Sequence, residues 1–252
     1  MAKSRADRLP INISRSFILS GTTPFAIKEA YKTARTNLVF SLAGAEKKIV
    51  VITSCSPSEG KSTNCLNMAI SMAETGASVL LMDSDMRKPV QHSLLMLDNK
   101  EGLSSVLAGI TGDLTEVINK NVYTNLDVLT SGPIPPNPAE LISGERMEQI
   151  LNIVGSHYDY VFIDTPPANV VTDAFLFNGR SAGIMFVIKE GYTTHADVNE
   201  ALKRAAMTGG KILGFMKVSC TVGEKGGLGS YKYKYKYKYD YNYKYKEYSS
   251  GN

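Results

Sequence analysis

The chain has 252 residues, with 28 Lys and Arg against 24 Asp and Glu, for a net charge of +4. Residues 231–252 hold nine of the 14 tyrosines and six lysines against two acidic residues, so the remainder of the chain is neutral. A content of 43% hydrophobic and 21% charged residues predicts a soluble globular protein. No apolar run approaches the roughly 18 residues of a membrane-spanning helix, and three scattered cysteines argue against a disulfide framework or a zinc site.

Short β-branched apolar runs alternate along the chain with amphipathic stretches of helical length. This pattern predicts an α/β fold, with a doubly wound, mostly parallel sheet flanked by helices. Strands are predicted at 48–54, 78–83, 126–130, 160–164, 183–188 and 211–218, and helices at 26–42, 61–75, 138–154 and 194–208. Asn137 is the expected N-cap of the third helix, with Pro138 at its first position.

The organisation along the chain has three predicted parts. Residues 1–25 are an N-terminal extension, and residues 26–222 are the α/β domain. Residues 223–252 combine a Gly-rich linker with a Tyr/Lys alternation that has no aliphatic residue to build a core, so this segment is predicted to be a flexible tail.

The sequence SCSPSEGKST, residues 54–63, lies between the first predicted strand and the next helix, which is the context of a phosphate-binding loop. Cys55 stands where that motif has its first glycine, either as a small substitute or as a redox-sensitive thiol with a lowered pKa. Lys61 is expected to neutralise β/γ-phosphate oxygens, and Ser62 to ligate Mg²⁺. The residues predicted to bind the nucleotide are Ser58, Glu59, Gly60, Lys61, Ser62 and Thr63.

Three aspartates follow predicted strands. Asp83 ends the predicted strand VLLMD, and Asp85 comes two residues later in the run VLLMDSD. Asp164 ends YVFID. Because parallel strands finish at one edge of a sheet, these carboxylates should converge near the phosphates. Mg²⁺ is the cation expected to offset their repulsion.

Several segments resemble the bacterial tyrosine kinases of capsule and exopolysaccharide systems, of the CpsD, CapB and Wzc-cytoplasmic-domain type. They are the phosphate loop, VLLMDSDMRKP, YVFIDTPP, GLSSVLAG, GPIPPNPAELISGERM and the tyrosine cluster. The resemblance implies an ATP-dependent protein-tyrosine autokinase that regulates polysaccharide synthesis and export. By the same resemblance, Lys61 is catalytic, Asp83 accepts the tyrosine proton, and Asp85 and Asp164 join Ser62 in holding Mg²⁺. The implied phosphate acceptors are Tyr231, Tyr233, Tyr235, Tyr237, Tyr239, Tyr241, Tyr243, Tyr245 and Tyr248.

The resemblance also implies partners. Glu29, Lys32 and Arg35 match the E-x-x-R-x-x-R oligomerisation element, with Lys32 in place of its first arginine. Expected partners are further copies in a head-to-tail ring, with one tail in the neighbouring site, a transmembrane polysaccharide co-polymerase that activates the kinase, and a cognate tyrosine phosphatase. The expected location is the cytoplasm, at the inner face of the membrane through that activator. Val218 stands where the family has an asparagine near the adenine.

Two alternatives remain open at the level of sequence. A ParA/MinD-like regulatory ATPase would carry a signature lysine five positions before Lys61, where this chain has Ser56. The Tyr/Lys tail alone has features of a segment that binds single-stranded nucleic acid or anionic lipid. Neither nucleic-acid binding nor lipid binding explains the phosphate loop, so no nucleic-acid partner is expected.

Overall fold

The computed structural model describes residues 15–219. Predictions for residues 1–14 and 220–252, including all nine tail tyrosines, lie outside the described residues. The described part forms a seven-stranded sheet in the order β3-β4-β2-β5-β1-β6-β7. The strands are β1 (Ile49–Ser54), β2 (Val79–Asp83), β3 (Ile118–Tyr123), β4 (Leu126–Leu129), β5 (Tyr160–Asp164), β6 (Gly183–Lys189) and β7 (Ile212–Val218).

All neighbouring strands run parallel except β3, which pairs antiparallel with β4 at one edge. In the central pair, Asp83 of β2 lies opposite Asp164 of β5. In the next pair, Asp164 lies opposite Ile52 of β1, two residues before that strand ends. The phosphate loop and the strand-end aspartates therefore meet at one edge of the sheet, as the sequence predicts.

Helices cover both faces of the sheet. They are α1 (Phe25–Ser41), α2 (Lys61–Ala73), α3 (Gln91–Leu95), α4 (Leu103–Leu107), α5 (Leu114–Val117), α6 (Pro138–Ser143), α7 (Glu145–His157) and α8 (His195–Met207), with a 3₁₀ helix at Asp173–Phe177. In β1, Val50 and Ile52 pack with α1 and α2, while Ile49 and Val51 pack with α7 and α8. Both alternating sets are buried, which explains why the strands are continuous apolar runs.

The structure corrects the sequence prediction at three points. The helix predicted at 138–154 is two helices, because Gly144 adopts extended backbone (φ −69°, ψ 161°) between α6 and α7. The side chain of Asn137 does not cap α6, and its Nδ2 donates instead to Glu140 Oε2 at 2.6 Å. Strand β3 was not predicted, since INKNVY is largely polar, as an edge strand can be.

Part of the predicted N-terminal extension packs on the sheet domain. Leu19 is buried, its backbone N–H donates to Asn67 Oδ1 at 2.8 Å, and Asn67 Nδ2 donates to the carbonyl of Phe17 at 2.8 Å. These contacts tie residues 17–19 to α2. Among the helices of residues 15–219, none is long and apolar enough to cross a bilayer.

Candidate active site

The phosphate loop turns from β1 into α2 through left-handed backbone. Ser58 has φ +66° and Gly60 has φ +84°, and a Cβ at Gly60 would lie 3.2 Å from Asn64 Nδ2. Helix α2 begins directly after Gly60, at Lys61. The first amides of a helix lack intrahelical acceptors and favour anions, so the loop has the backbone of a phosphate site.

The first half of the loop is tied to the chain that follows β5. Thr53 Oγ1 donates to the carbonyl of Pro166 at 2.7 Å, and the amide of Asn169 donates to the carbonyl of Cys55 at 3.2 Å. Cys55 is fully buried, and burial together with the charge of Glu59 raises the pKa of its thiol to about 12. The interpretation of Cys55 as a low-pKa redox thiol is therefore wrong, and the residue is a small buried substitute for glycine.

Lys61 brings the predicted catalytic groups together. Its Nζ lies 2.8 Å from Asp85 Oδ2, 3.4 Å from Asp164 Oδ1 and 3.1 Å from Ser62 Oγ. Burial acts to lower the pKa of Lys61, but the charges of Asp164 and Asp85 outweigh burial and raise it. The ammonium is therefore a fixed positive charge between two carboxylates that are 5% and 0% exposed.

Asp83 lies behind this group and is fully buried. Its Oδ1 accepts the amide of Asp85 at 3.1 Å, and its Oδ2 accepts the amide of Gln91 at 3.1 Å. Burial, followed by the charge of the neighbouring Asp164, holds the pKa of Asp83 well above its usual range. Burial also raises the pKa of Asp164, against the lowering effect of Lys61. Asp83 thus has high proton affinity but no solvent-exposed surface.

Gln91 is a residue of the site that sequence reasoning missed. Its Nε2 donates to Asp164 Oδ2 at 2.9 Å and to the carbonyl of Ser62 at 3.0 Å. Because both partners are acceptors, the amide orientation is fixed with the nitrogen towards them. Through its side chain and its own backbone amide, Gln91 connects the phosphate loop, Asp164 and Asp83. Its position beyond the aspartate motif, at the start of the short helix α3, gave no local signal.

Arg87 and Asp173 form a second missed interaction. Arg87 Nε donates to Asp173 Oδ2 at 2.8 Å, and Nη2 donates to Oδ1 at 3.0 Å. This bidentate pair joins the loop after Asp85 to the 3₁₀ helix that begins at Asp173. The pair therefore fixes the segment that carries Asp85 against the chain beyond β5.

The oxygens around Lys61 Nζ fit a divalent cation bound together with phosphates. Ser62, Asp85 and Asp164 supply one hydroxyl and two carboxylates around one ammonium. Within residues 15–219, no three His, Cys, Asp or Glu side chains form a metal-binding cluster. Mg²⁺ characteristically takes one or two carboxylates and completes its shell with substrate phosphates and water, so a full protein cage is not required.

The structure also places the remaining predicted nucleotide and interface residues. Thr63 is half-buried in the first turn of α2. On α1, Lys32 Nζ lies 2.7 Å from Glu29 Oε1 on an exposed face. Arg35 Nη1 donates to the carbonyl of Ser71 in α2, so it is engaged within the chain itself.

Comparisons with known proteins show which family this chain resembles. A protein-family profile described as an AAA domain matches residues 47–195. Tyrosine-protein kinase YwqD of Bacillus subtilis (strain 168) is 38% identical over 215 residues, 85% of this chain and 88% of the relative. The putative tyrosine-protein kinase CapB of Staphylococcus aureus is 39% identical over 188 residues, 75% of this chain and 82% of the relative.

Solved structures give the same family. The kinase domain of Escherichia coli tyrosine kinase ETK aligns with a TM-score of 0.74 and 30% identity, covering 90% of this chain and 88% of that structure. A plasmid partition protein from Borrelia burgdorferi aligns with a TM-score of 0.57 at 19% identity, which shows a shared fold alone. The chain belongs to the bacterial tyrosine kinases of the capsule and exopolysaccharide type, and it is a protein-tyrosine kinase on a P-loop NTPase-like fold.

Proposed function

We propose that this kinase transfers the γ-phosphoryl group of ATP to tyrosines in the tail of a neighbouring copy of the same chain. One observation carries the proposal: the Lys61 ammonium lies between Asp85 and Asp164, at the start of the helix that follows the phosphate loop. Phosphoryl transfer needs positioning and charge neutralisation above all, and this arrangement offers both.

In the proposed reaction, the tyrosine oxygen forms a bond to the γ-phosphorus as the bond to the ADP oxygen breaks. The phenol proton passes to a carboxylate, for which Asp83 is our candidate because it ends β2 directly opposite Asp164 of β5, beside the group around Lys61. Its side chain is fully buried, so this role requires the segment from Ser84 to Gln91 to open when the acceptor binds. Asp83→Asn is therefore expected to lower the rate of transfer while leaving nucleotide binding nearly unchanged.

Lys61 and the loop amides would hold the β- and γ-phosphates. Ser62, Asp85 and Asp164 would hold Mg²⁺, whose contribution is to neutralise the charge of the phosphates. Val218 stands where the family has an asparagine near the adenine, and its side chain has no hydrogen-bonding group to offer the base.

The proposed assembly is a head-to-tail ring in which each tail enters the next site. Glu29 and Lys32 are exposed on α1 and available to another copy, whereas Arg35 already contacts Ser71. Phosphorylation of the tail would regulate polysaccharide synthesis and export, and a transmembrane activator and a phosphatase would be the partners of the kinase. These partner proposals rest on the family to which the chain belongs.

The test measures anti-phosphotyrosine signal with Mg²⁺ and ATP in the intact protein, in Lys61→Met and in a truncation after Ser230. We expect strong labelling of the intact chain alone, because Lys61→Met removes the charge between Asp85 and Asp164 and the truncation removes the acceptors. Equal labelling of Lys61→Met would refute the site assignment. Equal labelling of the truncation would refute the tail as acceptor. If the intact chain alone is silent, the assay is repeated with the cytoplasmic segment of its activator, and continued silence refutes the proposal.

A further inference from the structure

Glu59 is a buried carboxylate between two exposed residues of the phosphate loop. Its neighbours Ser58 and Gly60 are exposed, whereas Glu59 itself is 1% exposed. A carboxylate is rarely buried without partners, since burial removes its hydration. Each of its two carboxylate oxygens accepts a hydrogen bond from another residue of the chain.

Those contacts join the two ends of the loop to another loop. Glu59 Oε2 accepts the backbone amide of Ser56 at 3.1 Å, and Glu59 Oε1 accepts the hydroxyl of Thr193 at 2.6 Å. Thr193 Oγ1 in turn accepts the amide of Lys189, the last residue of β6, at 2.8 Å. A continuous hydrogen-bond chain therefore runs from the phosphate loop to the connection between β6 and α8.

Although the sequence predicts Glu59 as a nucleotide-binding residue, both of its carboxylate oxygens are engaged within the chain. We propose instead that Glu59 is a positioning residue that holds the phosphate loop in its binding conformation through Thr193, without touching the nucleotide. The loop needs such support because Ser58, a non-glycine residue, is held at φ +66°. The ties of Thr53 and Cys55 to the chain beyond β5 secure only the first half of the loop. Glu59 secures the second half, next to the amides that precede Lys61.

This inference rests on the proposed nucleotide site, and its test reads nucleotide binding and loop protection rather than kinase activity. Mg²⁺·ADP binding is measured by calorimetry on the full chain for Glu59→Ala, Glu59→Gln, Thr193→Val and Thr193→Ser. Losing a hydrogen bond to a buried carboxylate predicts about tenfold weaker binding for Glu59→Ala and Thr193→Val. Glu59→Gln is expected to stay within about twofold of the parent, because its oxygen can accept from Ser56 and its nitrogen can donate to Thr193. Thr193→Ser keeps the hydroxyl and should also stay within that range.

Two further measurements separate positioning from a general loss of structure. Glu59→Ala and Thr193→Val together should weaken binding no more than either alone, because the two act through one chain of hydrogen bonds. Amide hydrogen exchange should accelerate at residues 56–62 in both single variants and not in the control Glu74→Ala, which changes an exposed glutamate at the end of α2.

Parental ADP affinity in Glu59→Ala, additive single effects, or equal losses in Glu59→Gln and Glu59→Ala would each overturn the positioning role. The last result would mean that the carboxylate charge itself contacts the ligand. A parent that binds ADP but never forms phosphotyrosine, even with its activator segment, would refute the proposed function and leave the positioning role standing.

Discussion

The Arg87–Asp173 ion pair makes a quantitative prediction about stability. Asp173 is fully buried and accepts two hydrogen bonds from Arg87, whose side chain is 37% exposed. Arg87→Met would leave the Asp173 carboxylate buried without its cation. Asp173→Asn would leave a guanidinium that can turn towards water, so the two single variants should differ in cost.

The magnitudes follow from that asymmetry. Removing one partner of a fully buried ion pair costs about 3 to 5 kcal/mol, and the partial exposure of Arg87 reduces this figure because water screens its side of the pair. We therefore expect Arg87→Met to lower the free energy of unfolding by about 2 to 3 kcal/mol, and Asp173→Asn by roughly 1 kcal/mol. The double variant leaves no unpaired buried charge and should be more stable than Arg87→Met alone.

The assay is equilibrium urea unfolding of the parent, both single variants and the double variant. Lys100→Met is the matched control, because Lys100 pairs with Asp98 at 3.3 Å with both side chains largely exposed, at 89% and 67%. That control should change stability by less than about 0.5 kcal/mol. If Arg87→Met matched the control, or if the double variant lost the sum of the two single effects, the reasoning would be refuted.

Three further predictions concern the site and the phosphate loop. Gln91→Leu should lower kcat by about tenfold or more, since it removes the donor to Asp164 and Ser62; steady-state phosphorylation measures this, and an unchanged kcat would contradict it. Cys55, with a pKa of about 12, should react with iodoacetamide far more slowly in the native than in the urea-unfolded chain, as followed by mass spectrometry. Burial raises the pKa of Glu59 above its ordinary value of 4.5. At pH values above 4.5, the buried ionised carboxylate therefore lowers the free energy of unfolding. Glu59→Gln should therefore be more stable than the parent at neutral pH, and in urea unfolding the difference should vanish as the pH falls below that value.

The sequence predicted the centre of the site because its residues follow a simple local rule. Asp83 and Asp164 each end a buried strand, and the two strands pair in register, so the prediction that their carboxylates converge is confirmed. Lys61 was placed by the strand–loop–helix context of its motif. In each case a short pattern and the geometry of a parallel sheet sufficed.

What the sequence did not predict depends on contacts between distant residues. Gln91 meets Asp164 across 73 positions of sequence, and Thr193 meets Glu59 across 134. No periodicity encodes such pairs, because each depends on how separate loops are folded onto one sheet edge. Strand β3 was missed for a different reason, since its partly exposed edge carries polar residues that break the apolar signal.

The most direct test of the central claim is a mixing experiment between two defective chains. Lys61→Met retains every tail tyrosine but lacks the active-site lysine, and the truncation after Ser230 retains the site but lacks the tail. Each is incubated alone and then together with Mg²⁺, radiolabelled ATP and, where needed, the activator's cytoplasmic segment. We predict phosphotyrosine on the Lys61→Met chain only in the mixture. An unlabelled Lys61→Met chain in the mixture, under conditions in which the intact protein labels itself, would contradict transfer from one chain to the tail of another.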